Sequence, residues 1–202
     1  EREQNLRRND LRRLFNQLQT QRKRAPQSEL RRKPLMAGGE LPQEIQCKVM
    51  NVDVTITHEL QHGAFSEGVY KAHTNRLPPR DVALKRVGTS RGAQTAYRNE
   101  KRFLEQLNND EIDGIIGHRN IIQLLGFDDN NRLCFPPASS SFLVLQYANR
   151  GDLFDLDPVQ DTPNMRWEYA KQIVGAIAYA HSRGVAHGDI KLENILRHRR
   201  TY

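Results

Sequence analysis

Asp189, Lys191 and Asn194 stand close together in His187-Gly188-Asp189-Ile190-Lys191-Leu192-Glu193-Asn194, with Ile195-Leu196 directly behind them. The apolar residues of the run would anchor it to a core. A carboxylate, an ammonium and an amide so spaced suit phosphoryl transfer. The carboxylate orients an attacking hydroxyl, the ammonium neutralises the moving phosphate, and the amide oxygen coordinates Mg²⁺. Upstream, Val82-Ala83-Leu84-Lys85 puts a second cation on a predicted strand. Taken alone, Lys85 is an ordinary solvent-facing lysine. Glu100 changes that, because it lies on the helix predicted next and reaches Lys85 if that helix packs on the sheet. Such a pair would hold the ammonium toward the α- and β-phosphates of a nucleotide. Glu105 is a competing partner, more than a turn further on.

Other motifs are weaker. Gly63-Ala64-Phe65-Ser66-Glu67-Gly68-Val69 reads either as a hairpin over phosphates or as a hairpin with two ordinary glycines. His187 reads as a packed, hydrogen-bonding histidine that braces the loop, not as a base. The 7 histidines and 2 cysteines have no structural zinc spacing. Cys47 and Cys134 form no disulfide framework, and the expectation is two reduced thiols in an intracellular protein of the cytoplasm or nucleus.

The elements that must position these residues follow from pattern. Val52, Val54 and Ile56 alternate with polar residues, as in a half-buried strand. Val69 to Ala72 and Asp81 to Val87 read as two more strands, with a Pro78-Pro79 turn between them, so a meander is expected. Ala93 to Leu107 reads as a helix. Asn108 to Gly117 reads as a loop, and Ile121 to Phe127 and Phe142 to Tyr147 as further strands. Arg166 to His181 carries an apolar face of Trp167, Ala170, Ile173, Val174, Ile177 and Ala178, and Ser182-Arg183-Gly184 is a helix stop. A small β-rich lobe with five strands and one helix thus leads into the start of a helical lobe.

The 202 residues carry a net charge of +7. Residues 1 to 35 hold eleven Lys or Arg against four acids, so the whole of that excess lies in an N-terminal arm. Leu11, Leu14, Phe15 and Leu18 have the spacing of a short amphipathic helix. Its basic clusters would suit an acidic partner or an import receptor, and a solvated tail without a partner is the equal alternative. Pro34 to Pro42 reads as a linker. The expected division is 1–42 as basic arm and linker and 49–202 as one domain. No stretch reaches the roughly 18 apolar residues of a membrane span. The opening Glu-Arg-Glu-Gln has neither initiator Met nor export segment, and a fragment cut at both ends is expected.

Taken in order, these motifs resemble the eukaryotic-type protein kinases over roughly residues 56 to 196. Leu60 to Ala72 resembles the family's glycine-rich strand pair, Val82-Ala83-Leu84-Lys85 its strand lysine motif, and Glu100 its helix glutamate. His118-Arg119-Asn120-Ile121-Ile122-Gln123-Leu124-Leu125-Gly126 is similar to the entry into its fourth strand. Leu143 to Ala148 with Gly151-Asp152-Leu153 is similar to the strand and hinge that hold adenine. The resemblance implies an α+β protein kinase-like fold: a five-stranded antiparallel N-lobe with one helix, then a truncated helical C-lobe. It implies ATP and Mg²⁺ as cofactors, a protein substrate, and transfer of the γ-phosphate to serine or threonine.

By the same resemblance Asp189 is the catalytic base, Lys191 the phosphate contact, and Asn194 a metal ligand. Lys85 with Glu100 then serves the phosphates. Gly63, Ala64, Phe65, Val69 and Ala83 line the nucleotide, Leu145 is the gatekeeper, and Gln146, Tyr147 and Ala148 are the hinge. Lys191 favours serine/threonine specificity.

Three departures matter. Gln61 and Ser66 replace glycines and the path to Val69 is one residue longer. Gly188 stands where arginine is usual. The Asp-Phe-Gly metal segment, activation loop and remaining helices do not occur in these residues, so the fragment itself is expected to be inactive. Two alternatives remain, an ATP-binding scaffold without catalysis and a small-molecule phosphotransferase related to the aminoglycoside and choline kinases.

Overall fold

The computed structural model describes residues 40–61, 66–75, 80–109, 111–112, 115–136, 139–156 and 162–199. The basic arm, its amphipathic pattern, Gly63-Ala64-Phe65 and the Pro78-Pro79 turn lie outside the described residues. The chain runs β1 (Glu40–Val49), β2 (Val52–Gln61), β3 (Ser66–Thr74), β4 (Arg80–Val87) and α1 (Arg91–Asn108). A short antiparallel pair follows, β5 (Glu111–Ile112) and β6 (Ile115–Ile116), where the sequence suggested only loop. Then come β7 (Leu124–Asn131), β8 (Ser140–Gln146), α2 (Pro163–Ser182) and a 3₁₀ turn at Leu192–Asn194. The result is the expected α+β arrangement, an antiparallel lobe with one helix joined to the beginning of a helical lobe.

The main sheet has the order β1-β2-β3-β4-β8-β7 and every neighbouring pair is antiparallel. Strand periodicity divides its side chains between two apolar clusters. Val54, Ile56, Tyr70, Ala72, Val82, Leu84, Phe142 and Val144 form one. Ala83, Val87, Leu143 and Leu145 form the other, with Ala93 and Tyr97 of α1. Strand β8 is buried from Ser140 to Leu145, since both of its faces are covered. That is why it reads as an unbroken apolar run rather than an alternating one.

The sheet has one strand more than the five expected. β1 starts at Glu40, inside the stretch read as linker, and pairs with β2 from Glu40↔His58 to Val49↔Val52. Met50 and Asn51, both at positive φ (53° and 59°), make the tight turn between them. The sheet curls until its edge strands meet. The Met50 N–H donates to Asp128 (3.1 Å) and the Asn131 amide donates to the Lys48 carbonyl (2.6 Å).

This curl brings Cys47 of β1 against Cys134 in the β7–β8 connection, and the two form a disulfide with Cα atoms 5.0 Å apart. The expectation of two reduced thiols is therefore overturned. The cysteines are 87 residues apart, and only the unforeseen strand makes them neighbours. The reduced-thiol argument for an intracellular location falls with it. Among the described residues no helix is long and apolar enough to cross a membrane.

Candidate active site

Alternation along β4 sends Val82 and Leu84 into one cluster and turns Ala83 and Lys85 to the opposite face, toward α1. Helix α1 starts where Ser90 caps it, accepting from the Ala93 N–H (3.2 Å). The Gln94 amide donates to the Gly88 carbonyl (2.8 Å). Nearly two turns beyond Gln94, Glu100 meets Lys85, with Nζ donating to its two carboxylate oxygens at 2.7 and 2.6 Å. The partners keep 27% and 34% of their side-chain surface exposed, so the pair adds roughly 0–1 kcal/mol to stability. Its worth is geometric: the ammonium is held in one place at the face of the sheet. Glu105 takes no part in it.

Adjacent strands set apolar residues beside this cation. Val69 pairs with Lys85, and Leu145 pairs with Ala83. Val69, Ala83, Leu145 and Tyr147 belong to one cluster with Leu60 and Leu104. Gln146, Tyr147 and Ala148 are half-buried where β8 leaves the sheet, and the Gln146 N–H donates to the Gln123 carbonyl (2.9 Å). The Lys71 ammonium lies 5.0 Å from the centre of the Tyr147 ring.

The polar loop is built by the end of α2. Gly184, at φ 70°, closes the helix, with its N–H on the His181 carbonyl (3.0 Å) and that of Val185 on Ala180 (2.9 Å). Ile190, Leu192 and Ile195 then pack with Leu153, Leu156, Ala170 and Ile173. With those side chains committed to the core, Asp189 and Asn194 are left at the surface. The Asn194 amide donates to the Asp189 carbonyl and to its Oδ2, both at 2.9 Å, and Lys191 Nζ stands 3.4 Å from that oxygen. The slight burial of the Asp189 carboxyl acts to raise its pKa. Asn194, Lys191 and His187 outweigh it and hold the group below the usual carboxylate range.

The loop is also stitched to the segment after β8. Leu153 N–H donates to the Ile195 carbonyl (2.9 Å), Arg197 N–H to Gly151 (2.7 Å) and Arg150 N–H to Arg197 (3.1 Å). Gly151, at φ 68°, makes the turn that allows this pairing.

Two local expectations change. His187 does brace the loop, its Nδ1 accepting from the Asp189 N–H (3.3 Å), but it is exposed rather than packed. Gly188 has φ 74°, so the glycine answers a backbone need as well as replacing an arginine. The extra residue before Val69 is absorbed as an irregularity between Ser66 and Gly68. There the Tyr70 hydroxyl donates to the Glu67 carbonyl (3.1 Å) and Arg86 pairs with the Glu67 carboxylate (2.9 Å).

Sequence reasoning missed Glu67, Arg86, Tyr97, Lys101 and Asp129. Their partners are distant in the chain, and no local spacing marks them. For a hard cation such as Mg²⁺, which takes few protein ligands beside phosphates and water, the fit is to Asn194. Its nitrogen is used on Asp189, which leaves the amide oxygen as acceptor. Among the described residues no three His, Cys, Asp or Glu side chains converge into a metal cage.

An antiparallel lobe with a lysine–glutamate pair between strand and helix, leading into the start of a helical lobe with an Asp-Lys-Asn loop, is a protein kinase-like fold. Residues 54–202 match the protein kinase domain family. The chain belongs to that family. It is 30% identical over 152 residues to "Probable serine/threonine-protein kinase fhkA" of Dictyostelium discoideum, covering 71% of this chain and 23% of that protein. It is 31% identical over 160 residues to serine/threonine-protein kinase chk-1 of Caenorhabditis briggsae, covering 78% and 30%. Calcium/calmodulin-dependent protein kinase type 1 of Macrobrachium nipponense is 30% identical over 139 residues, covering 66% and 35%. The chain thus spans about a quarter to a third of the length of these relatives.

Proposed function

We propose that the protein to which this chain belongs transfers the γ-phosphate of ATP to serine or threonine hydroxyls of a protein substrate. Asp189 receives the hydroxyl proton and aims the oxygen, Lys191 contacts the transferred phosphate, and Asn194 supplies one Mg²⁺ ligand. Lys85, seated by Glu100, holds the α- and β-phosphates. Val69, Ala83 and Leu145 would line the adenine, and Gln146 to Ala148 would hold it as the hinge. When bound, Mg²⁺ would be held on the protein side by the Asn194 amide oxygen and would supply charge neutralisation for the phosphates. The observation that carries this reading is the two-point contact of Lys85 with Glu100, made between a strand and a helix.

Asp189→Ala in the full-length protein tests it. The turnover should fall by orders of magnitude with ATP affinity nearly kept, because the carboxylate acts mainly in the transition state. Unchanged turnover sinks the assignment. The 202 residues alone should show no robust transfer, which incubation with labelled ATP, Mg²⁺ and a generic protein substrate decides. A second reading, an ATP-binding scaffold, is favoured by the irregular strand entry at Glu67 and Gly68. It predicts tight ATP binding with no transfer even in the full-length protein.

A further inference from the structure

Beyond the residues that face nucleotide, one face of α1 is fastened to the far edge of the sheet. Tyr97 is 3% exposed and its hydroxyl donates to Asp129 Oδ1 at the end of β7 (2.5 Å). Lys101, four residues on, reaches the same carboxylate at 3.2 and 3.3 Å, and its Nζ lies 3.1 Å from the centre of the Phe127 ring. Ser141 of β8 donates to the Asp129 carbonyl (2.9 Å), and Gln94 donates to that serine hydroxyl (3.4 Å). Gln94, Tyr97 and Lys101 follow i, i+3, i+7 spacing and so form one stripe. Glu100 lies on the next stripe, between Tyr97 and the following turn. A helix pinned along one stripe cannot rotate about its axis without carrying the neighbouring stripe away from the sheet.

We propose that Tyr97, acting through Asp129, is a positioning residue that sets the rotation of α1 and thereby the seat of Glu100 against Lys85. The inference rests on the phosphate-binding role given above to Lys85. The Lys85–Glu100 pair is too exposed to hold an 18-residue helix in register by itself. The anchor on the adjoining stripe is better placed to do so, since its tyrosine ring is packed among Ala83, Val87, Leu143 and Leu145.

The test is pulse labelling of the nucleotide-free full chain with an amine-reactive ester, followed by mass spectrometry of the Lys85 and Lys71 peptides. Tyr97→Phe keeps the packed ring and removes only the hydroxyl, and Asp129→Ala removes the shared acceptor. Both should raise Lys85 labelling roughly two- to tenfold, the fold-change of modest coupling within one network. Glu100→Gln should do the same, and Lys71, whose ammonium pairs with Asp81 (2.8 Å) rather than with Glu100, should not change. Lys85 labelling at the wild-type level in Tyr97→Phe overturns the proposal. So does a parallel rise at Lys71, which marks general loosening, or an unaltered Lys85 in Glu100→Gln, which leaves no pair to position. Mg·ATP binding to Lys85→Met is measured alongside. If that variant binds as wild type does, the phosphate role of Lys85 fails while the labelling still decides the anchor.

Discussion

Gly68 illustrates how neighbours dictate a residue. Its φ is 134°, and a Cβ added there would sit 2.6 Å from the Tyr70 hydroxyl. Gly68→Ala should therefore lose about 1–3 kcal/mol from backbone strain alone. An unchanged denaturant midpoint would refute the local geometry. Lys85→Met, at the same scale, should weaken Mg·ATP binding and leave the melting temperature almost unchanged, because a half-exposed ion pair contributes little to folding. The contacts that sequence made visible were those within short linear motifs, such as the one that joins Asp189, Lys191 and Asn194. Arg86 was not visible, since its carboxylate partner Glu67 and the Phe135 ring beneath it come from separate segments.

Helix α1 is held at both ends. Ser90 caps its start, and Asn108 at its end donates to the Leu104 carbonyl (2.9 Å) while accepting from the Leu124 N–H (3.1 Å). Ser90→Ala should cost about 1 kcal/mol, read from chemical denaturation; a loss below a few tenths would mean the cap is frayed in solution. Helix α2 is tied to the segment after α1 by the His118–Tyr179 ring stack, with centroids 5.1 Å apart. Burial, then the Arg119 charge, push the His118 imidazole below its ordinary value. The folded chain then binds fewer protons than the unfolded one, so stability declines as pH falls below about 6.5 and the loss is complete under the depressed folded value. Melting temperatures between pH 7 and pH 5 should show the decline, with a shallower slope in His118→Asn; equal slopes would remove His118 as its source. Both helices were readable because their apolar spacing is local, as is the Ser182-Arg183-Gly184 stop of α2. β7 was displaced from its expected start at Ile121 to Leu124, because the first residues of that apolar run lie between elements, where the Ile122 and Gln123 carbonyls accept from Asn108 of α1 and Gln146 of β8 instead.

At the scale of the whole molecule, β1 was the main-sheet strand that sequence hid. Its residues include Pro42 and several polar side chains, and its strand state depends on pairing with β2 rather than on its own pattern. The Cys47–Cys134 bond that follows from it restricts the unfolded chain over a long span. Cys134→Ser should cost about 2–4 kcal/mol under non-reducing conditions, and reduction of the wild type should approach the same midpoint. Thiol titration finding two free thiols per unreduced chain would refute the bond. The same closure has a consequence for a cleaved molecule. Lys85 and Glu100 both lie on the ring that runs from Cys47 to Cys134, whereas Asp189 and Asn194 hang outside it. A single protease cut anywhere within the ring severs the backbone yet releases no piece. Damage there would leave an intact mass on a non-reducing gel and show two bands only after a thiol is added.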